Sequence, residues 1–219
     1  MNLRVPIIAF AGWGILSSVG SVALAVPVQV TVTGVVESNV IGGNQANVPD
    51  GAPVIMSFRV DSTNFVNSPN FPTRGYPINL NSFSMSAGGQ PILITNPQVS
   101  GTAYFVLRNN DPAVDGFVVS KNIDFPIPID VNIPGLTPVH ELDFLRTFND
   151  GTALPSLDIL DALGTYDFTN LSVFNWTIGR FGNPGALYTY ETITLAAVPE
   201  PGAAAALLAI GAVMMKRKS

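Results

Sequence analysis

The sequence has no cysteine and a single histidine, His140, among its 219 residues. The lack of cysteine excludes disulfides, zinc–thiolate centres, iron–sulfur clusters and thiol nucleophiles. One imidazole cannot form a histidine-ligated metal site, and a Ser–His–Asp triad would depend on His140 alone. No G-x-S-x-G elbow is present. Because His140 follows Pro138 at the start of a strand-like segment, we interpret it as an exposed histidine without a catalytic role.

Positive charge is scarce between the two ends of the chain. Residues 26–198 contain six basic and fourteen acidic residues, a net charge of −8, whereas the whole chain carries −5. Proteins bind a nucleic-acid backbone through clusters of Lys and Arg, and basic segments are also what anionic membrane surfaces attract. The composition therefore argues against a nucleic-acid partner for this part of the chain.

Proline-free stretches long enough for a helix are few. Fifteen prolines lie between Pro27 and Pro184, and proline interrupts helix interiors and central strand positions. Apolar and polar residues alternate between them, for example from Val28 to Thr33 and from Met56 to Asp61. This period of two is typical of strands with one buried face. A turn or two of helix is predicted only at 156–163.

Turn signals separate these strands. Asp50-Gly51, Asp115-Gly116 and Asp150-Gly151 favour turns, and Gly88-Gly89 between NSFSMS and PILIT predicts a hairpin. The segments 64–78 and 124–138 are rich in Pro and Asn and are predicted to be surface loops. Many short strands with little helix predict an all-β fold for residues 26–197, an antiparallel β-sandwich of jelly-roll type. Its predicted buried aromatics are Phe58, Phe105, Phe117, Phe144, Phe174 and Trp176.

The first 25 residues have the layout of a secretory signal peptide. Arg4 precedes an apolar stretch, a small and polar patch follows, and Ala23-Leu24-Ala25 forms an A-x-A site. The apolar stretch is shorter than the roughly 18 residues of a spanning helix. We therefore predict a signal helix that is cleaved after Ala25.

The last 22 residues, VPEPGAAAALLAIGAVMMKRKS, are also apolar. Pro199, Glu200 and Pro201 precede an uncharged run at 202–215, and Lys216-Arg217-Lys218 follows it. The run predicts an apolar helix of roughly 21 Å at about 1.5 Å per residue, short of the roughly 30 Å bilayer core. Positive charge beside a span resists translocation, so the basic residues are predicted to act as a membrane stop.

This tail, together with the signal peptide, resembles the PEP-CTERM sorting signal of Gram-negative bacteria. The resemblance implies that residues 198–219 hold the protein at the inner membrane. It also implies that an exosortase, an integral-membrane transpeptidase-like enzyme, processes the chain near Pro199–Pro201. VTVTGVVESNV and the later LDFLRTFNDGTALPSLDILDALGTYDF resemble the body of such proteins and imply a β-sandwich. We expect an exported cell-surface, envelope or extracellular-matrix protein with a non-catalytic structural or interaction role and no cofactor.

Two alternatives and one metal hypothesis remain open at this point. The first alternative is a carbohydrate-binding module acting in exopolysaccharide, and the second is a secreted hydrolase that uses acidic loop residues. The loop RNNDPAVDG is a weak Ca²⁺ candidate through Asn110, Asp111 and Asp115, since Ca²⁺ takes six to eight oxygen ligands. Turn formation explains the same residues. The aromatics expected to be exposed for sugar binding are Tyr76, Tyr104, Trp176, Tyr188 and Tyr190.

Overall fold

The computed structural model describes residues 25–111, 113–167, 169, 171–180 and 183–199. Within these residues the chain forms thirteen strands and one short 3-10 helix, Gly43–Gln45. The strands are β1 Pro27–Asn39, β2 Pro53–Asp61, β3 Val66–Asn67, β4 Thr73–Pro77, β5 Asn79–Ala87, β6 Gln90–Ile94, β7 Tyr104–Arg108, β8 Gly116–Ser120, β9 Ile129–Asn132, β10 His140–Phe148, β11 Gly164–Tyr166, β12 Leu171–Arg180 and β13 Asn183–Ala197.

Eight of these strands close into an antiparallel barrel. They run in the order β1, β2, β5, β6, β9, β10, β12 and β13, and β13 then pairs with β1. The prediction of an all-β antiparallel fold is confirmed, but the prediction of a β-sandwich of jelly-roll type is wrong. The pairs β6–β9 and β12–β13 join what would have been the free edges of two separate sheets. Closure leaves no such edges in the ring.

In two barrel strands, β10 and β13, one edge pairs with two different strands along its length. The start of β10 pairs with β9 and its later part, Phe144–Thr147, pairs with β8, while β12 runs along the other edge. From β8 the sheet continues outside the ring through β7, β4 and β3. Likewise, β13 pairs with β12 near its start and with β11 near its end. The branch at β10 gives the molecule a second outer surface beside the barrel.

The interior is a single apolar core with a chain of aromatic contacts. Phe58 and Phe105 have ring centroids 5.6 Å apart, as do Phe105 and Phe117, and Phe144 faces Trp176 at 5.8 Å. These five predicted core aromatics are buried as expected. Phe174 is only half-buried and packs against the core at its edge. Alternation therefore identified the inward face of each strand but not how far the core extends along β12.

The predicted turns are partly as expected. Gly88 and Gly89 adopt φ values of 55° and 77° and join β5 to β6, which confirms the hairpin. Residues 156–163 form no helix; two overlapping turns lie there, with N–H groups of Asp161 and Ala162 bonded three residues back. The predicted loop 64–78 contains β3 and β4, and the predicted loop 124–138 contains β9. These three strands are two to five residues long, too short for the alternation that marks the longer barrel strands.

The two ends of the described chain meet. β1 and β13 pair along almost their whole length, and the Val198 N–H donates a 2.8 Å hydrogen bond to the Pro27 carbonyl. The described part of the chain contains no helix with the length and apolarity that a membrane crossing requires. The predicted signal helix with Ala23, and the tail with Glu200, Pro201, the apolar helix, Lys216, Arg217 and Lys218, lie outside the described residues; Ala25 and Pro199 lie inside.

Candidate functional site

An apolar row crosses the outer surface of the branch. Gly75 of β4, Val106 of β7, Val118 of β8 and Leu145 of β10 are aligned by successive strand pairings. Val106 and Val118 are buried although they point away from the core. Another part of the chain therefore covers this outer face.

The cover is the loop 121–128, which connects β8 to β9. Its Ile123 lies directly over Gly75, where an added Cβ would come within 2.3 Å of the Ile123 Cγ2 atom. Residue 75 must therefore be glycine for the loop to lie this close to β4.

Side-chain hydrogen bonds hold this loop in shape. Ser120 Oγ accepts from the N–H groups of Asn122 and Ile127 at 3.0 and 2.8 Å, and it donates to the Phe125 carbonyl at 3.0 Å. Asn122 Oδ1 in turn accepts from the N–H groups of Asp124 and Phe125 at 2.8 and 3.1 Å. These bonds satisfy the loop backbone locally, so its conformation does not depend on a ligand.

Between the loop and the strands lies a cavity of about 270 Å³, here called the outer-face cavity. Its apolar lining includes Val106, Val118 and Leu145. At its rim Phe71 and Phe125 meet edge to face with ring centroids 5.7 Å apart. Phe125 is 60% exposed, so the aromatic rim is open to solvent.

Polar groups in the same cavity have unused hydrogen-bonding capacity. Thr73 Oγ1 and Asp124 Oδ1 are buried and have no hydrogen-bond partner, and both residues line the cavity. Arg108 is occupied, because its Nε and Nη2 donate to Asp111 Oδ2 and to the Asp111 carbonyl at 3.2 and 2.7 Å. Buried polar atoms without partners are costly. The outer-face cavity therefore favours a ligand that combines apolar surface with hydrogen-bond donors.

The Ca²⁺ candidates are used for other contacts. Asp115 is fully buried, and its two carboxylate oxygens accept from the N–H groups of Asn110 at 2.9 Å and Leu154 at 2.7 Å. Asp111 pairs with Arg108. Across the residues that the structure describes, no group of three or more His, Asp or Glu side chains is placed to hold a metal ion.

Several acids of the loops form a repeated turn with a threonine two residues later. The N–H groups of Thr63, Thr152 and Thr169 donate to Oδ1 of Asp61, Asp150 and Asp167 at 2.8, 3.0 and 2.8 Å. Hydrogen bonds from the threonine hydroxyl and N–H lower the pKa of Asp150 and of Asp167. These acids act as turn-forming groups in the sense of an Asx turn.

The aromatics predicted to be exposed for sugar binding are mostly in the core. Tyr76, Trp176, Tyr188 and Tyr190 are buried, and Tyr104 is half-buried, so the prediction that they form an exposed platform is wrong. Trp176, Tyr188 and Tyr190 occupy inward positions of β12 and β13, which the alternation around each of them could have indicated. Phe71 and Phe125 were missed because each lies in a segment with no periodic pattern.

His140 opens β10 as predicted, but the prediction that it is exposed is wrong. Only 8% of it is accessible, and its Nδ1 has no hydrogen-bond partner. Burial, together with the positive charge of Arg180, lowers the pKa of His140. The residue lies at an inward position of β10 and is favoured in its neutral form.

Arg146 is a buried cation that the sequence analysis did not identify. It occupies an inward position of β10, and its guanidinium lies over the Phe148 ring at 4.0 Å and near the Tyr190 ring at 5.0 Å. Nη2 donates to the Asp167 carbonyl, whereas Nε and Nη1 have no hydrogen-bond partner. Burial lowers the pKa of Arg146. Aromatic faces compensate part of this charge, and the Asp167 carboxylate also favours the charged form.

Comparison with known proteins gives no match to this chain, whether with protein-family models, curated proteins or solved structures.

Proposed function

We propose that this chain is an exported cell-surface, envelope or extracellular-matrix protein whose tail is a sorting signal of the PEP-CTERM type. In this proposal an exosortase recognises the tail. The all-β part of the chain, residues 26–197 and here called the body, has a structural or interaction role rather than an enzymatic one. The observation that supports it is the hydrogen bond between the Val198 N–H and the Pro27 carbonyl. The strand ladder of the body is complete at this pair, one residue before Pro199.

A completed ladder leaves the tail free for another use. Proline fixes φ and lacks a backbone donor, so Pro199 and Pro201 keep the chain from continuing as strand or helix. Glu200, between the two prolines, is therefore expected on a non-helical peptide, a form that a processing enzyme can bind in a cleft. The apolar run at 202–215 is short for a bilayer, and local thinning compensates such a mismatch at fractions of a kcal/mol per Å.

The meeting of the ends also defines an orientation. The predicted signal peptide and the tail both join the body at the Pro27–Val198 pair. Both end segments therefore attach to the same end of the barrel, here called the attachment pole. With 202–215 in the inner membrane, the attachment pole faces the bilayer. Lys216, Arg217 and Lys218 then remain on the cytoplasmic side, since moving one such charge through the bilayer centre costs about 2.5–3.5 kcal/mol.

The acidic side chains support a non-catalytic role for the body. Both oxygens of Asp115 are bonded to backbone amides, and Asp61 and Asp150 accept from the threonine two residues later. Acids that form turns in this way are engaged in holding loops. We therefore propose that the body acts by binding other molecules of the cell surface or matrix after sorting.

The test uses the full chain in a strain that carries an exosortase. Glu200→Ala should leave the protein anchored in the inner membrane at its unprocessed size. Replacing Lys216, Arg217 and Lys218 with Ser should release unprocessed protein or invert its orientation. Fractionation, immunoblotting and protease accessibility measure both results.

The matched control is Glu191→Ala, which removes an exposed glutamate from β13 rather than from the tail. This variant should be processed like the wild type. If the Glu200 variant and the basic-end variant both reach the wild-type mature size and location, the tail is not a sorting signal.

A further inference from the structure

We propose that the outer-face cavity binds one sugar ring of a neutral saccharide. The inference stands on the cavity itself and does not require the sorting proposal, because no residue of the tail takes part in it. It also differs from the first sugar-binding hypothesis, since Tyr76, Trp176, Tyr188 and Tyr190 are in the core.

The apolar half of the cavity matches the flat face of a pyranose. Val106, Val118 and Leu145 line one side, and the rings of Phe71 and Phe125 form the rim. A pyranose ring presents C–H groups on its faces and hydroxyls around its edge. Aromatic rings present apolar, electron-rich faces on which such C–H groups pack well.

The polar half favours a ligand that donates hydrogen bonds. Asp124 Oδ1 can only accept when ionised, and Thr73 Oγ1 can donate or accept; neither has a partner. A hydrocarbon ligand would leave both atoms unpaired in a buried site, which is unfavourable. Both atoms are closed to solvent, so sugar hydroxyls around the ring edge can donate to Asp124 and bond to Thr73 once these two side chains turn toward the cavity that they line.

Charge selects a neutral saccharide over an anionic one. The positive charge of Arg108 is already paired with Asp111 at 3.2 Å, so Asp124 leaves the cavity with an excess negative charge. The body around it is also acidic, at −8 for residues 26–198. A uronate or a sulfated sugar would therefore be repelled, whereas uncharged hydroxyls would not.

Size limits the ligand to about one ring. Ligand cavities for drug-sized molecules range over roughly 300–1,000 Å³, and this cavity has about 270 Å³. Since Phe125 at the rim is 60% exposed, neighbouring sugars of a longer chain can continue into solvent. The loop is already fixed by Ser120 and Asn122, so binding orders little of the protein.

The experiment uses the full chain in a zwitterionic detergent without a sugar headgroup. Saturation-transfer NMR is recorded with the methyl α-glycosides of glucose, galactose and mannose, with methyl glucuronoside as the anionic probe and n-butylammonium as the cationic one. At least one neutral glycoside should receive saturation, and the glucuronoside should not. Phe125→Ala should weaken that binding about three- to tenfold through the lost aromatic contact, and Asp124→Asn about tenfold or more through the lost charged acceptor.

Two matched variants control for general effects. Phe65→Ala removes a phenyl ring that is 38% exposed but lies outside the cavity, and Asp50→Asn removes an exposed carboxylate elsewhere. Both should bind the glycoside like the wild type. The proposal is overturned if no neutral glycoside binds at 20 mM or below (about −2 kcal/mol), or if only butylammonium binds. It is equally overturned if Phe65→Ala weakens binding as much as Phe125→Ala.

Discussion

Arg146 lies where the alternation of β10 favours an apolar side chain. Its neighbours at inward positions are Phe144 and Phe148, and it is as buried as they are. A compact ammonium would need water or a carboxylate here, whereas a planar guanidinium is weakly hydrated and stacks on aromatic rings. Arginine is therefore tolerated because of its shape and weak hydration as much as its charge.

Substitution of Arg146 should separate shape from charge. Arg146→Met should change the free energy of unfolding by about 1 kcal/mol or less, because an apolar side chain can replace a buried ion at little cost. Arg146→Lys should lose about 3 kcal/mol or more, the scale of an uncompensated buried charge. Urea unfolding of the full chain at pH 7 measures both.

The lysine variant also predicts a pH dependence. Burial should lower the pKa of Lys at position 146 below its value in the unfolded chain. The loss in free energy of unfolding is therefore present at pH 7 and becomes smaller as the pH rises toward the unfolded pKa. The exposed Arg59→Met serves as the control and should stay within about 0.5 kcal/mol of the wild type. Equal stability of the Met and Lys variants would contradict this account.

The aspartate–threonine turns predict a second pH effect at this scale. Because hydrogen bonds lower the folded pKa of Asp150 and Asp167, their contribution to stability is present above the unfolded pKa and is lost as pH falls through the folded one. Thr152→Val and Thr169→Val should raise the pKa of the matching carboxyl, as followed by NMR titration. Thr165→Val, whose hydroxyl bonds to Thr194 at 2.9 Å, should leave both pKa values unchanged; unmoved values in the first two variants would refute the role of the hydroxyl.

Among the elements, β1 and β13 leave no room for a side chain at Gly34. The register between the two strands shifts between Thr33 and Gly34. A Cβ at residue 34 would lie 2.1 Å from the Thr189 carbonyl oxygen and 2.9 Å from Trp176 Cζ3. Only glycine lets the two backbones approach this closely at the bulge.

Gly34→Ala should therefore destabilise the fold by about 1–3 kcal/mol, the cost of overpacking a closed site. Gly42→Ala is the control, because its Cβ would meet the Leu136 Cδ2 atom at an ordinary 3.5 Å and its φ is −81°. Thermal unfolding followed by near-UV circular dichroism compares the two. A Gly34 variant as stable as the Gly42 variant would show that β1 and β13 can separate without loss.

Sequence patterns predicted the long barrel strands well, the short strands β3, β4 and β9 not at all, and the partners of each strand poorly. The alternation of Val28, Val30 and Val32 indicated the inward face of β1, and Gly88-Gly89 indicated the β5–β6 hairpin. The pairs β6–β9 and β12–β13 decide between a sandwich and a barrel, yet a period of two carries no information on which edges meet. The candidate site was missed because Phe71 and Phe125 lie in segments without a periodic pattern and come into contact only in the folded chain.

At the scale of the whole molecule, the barrel is complete within the described body. The ring closes between Pro27 and Val198, and its core includes residues from β1 through β13. The described ladder and core are thus built from residues of the body alone. The body should then fold without either end segment.

Residues 26–198 expressed alone should be soluble, monomeric and rich in strand. Far-UV circular dichroism should show helix well below a fifth, compared with roughly one third in an average globular protein. A matched truncation that ends at residue 185 lacks most of β13 and should not fold, since β1, β11 and β12 all lose a partner. A helical or unfolded spectrum for 26–198, or a folded one for 26–185, would contradict this prediction.

The pairing of the first strand with the last has a kinetic consequence. Contacts that join distant parts of a chain form slowly, because loop closure must precede them. A chain that emerges with β1 first carries an unpaired β1 edge until β13 arrives, and exposed strand edges promote aggregation. The barrel can therefore close only after residue 198 has left the ribosome or the export channel. The body thus completes its folding after its synthesis or export, not while the chain is still emerging.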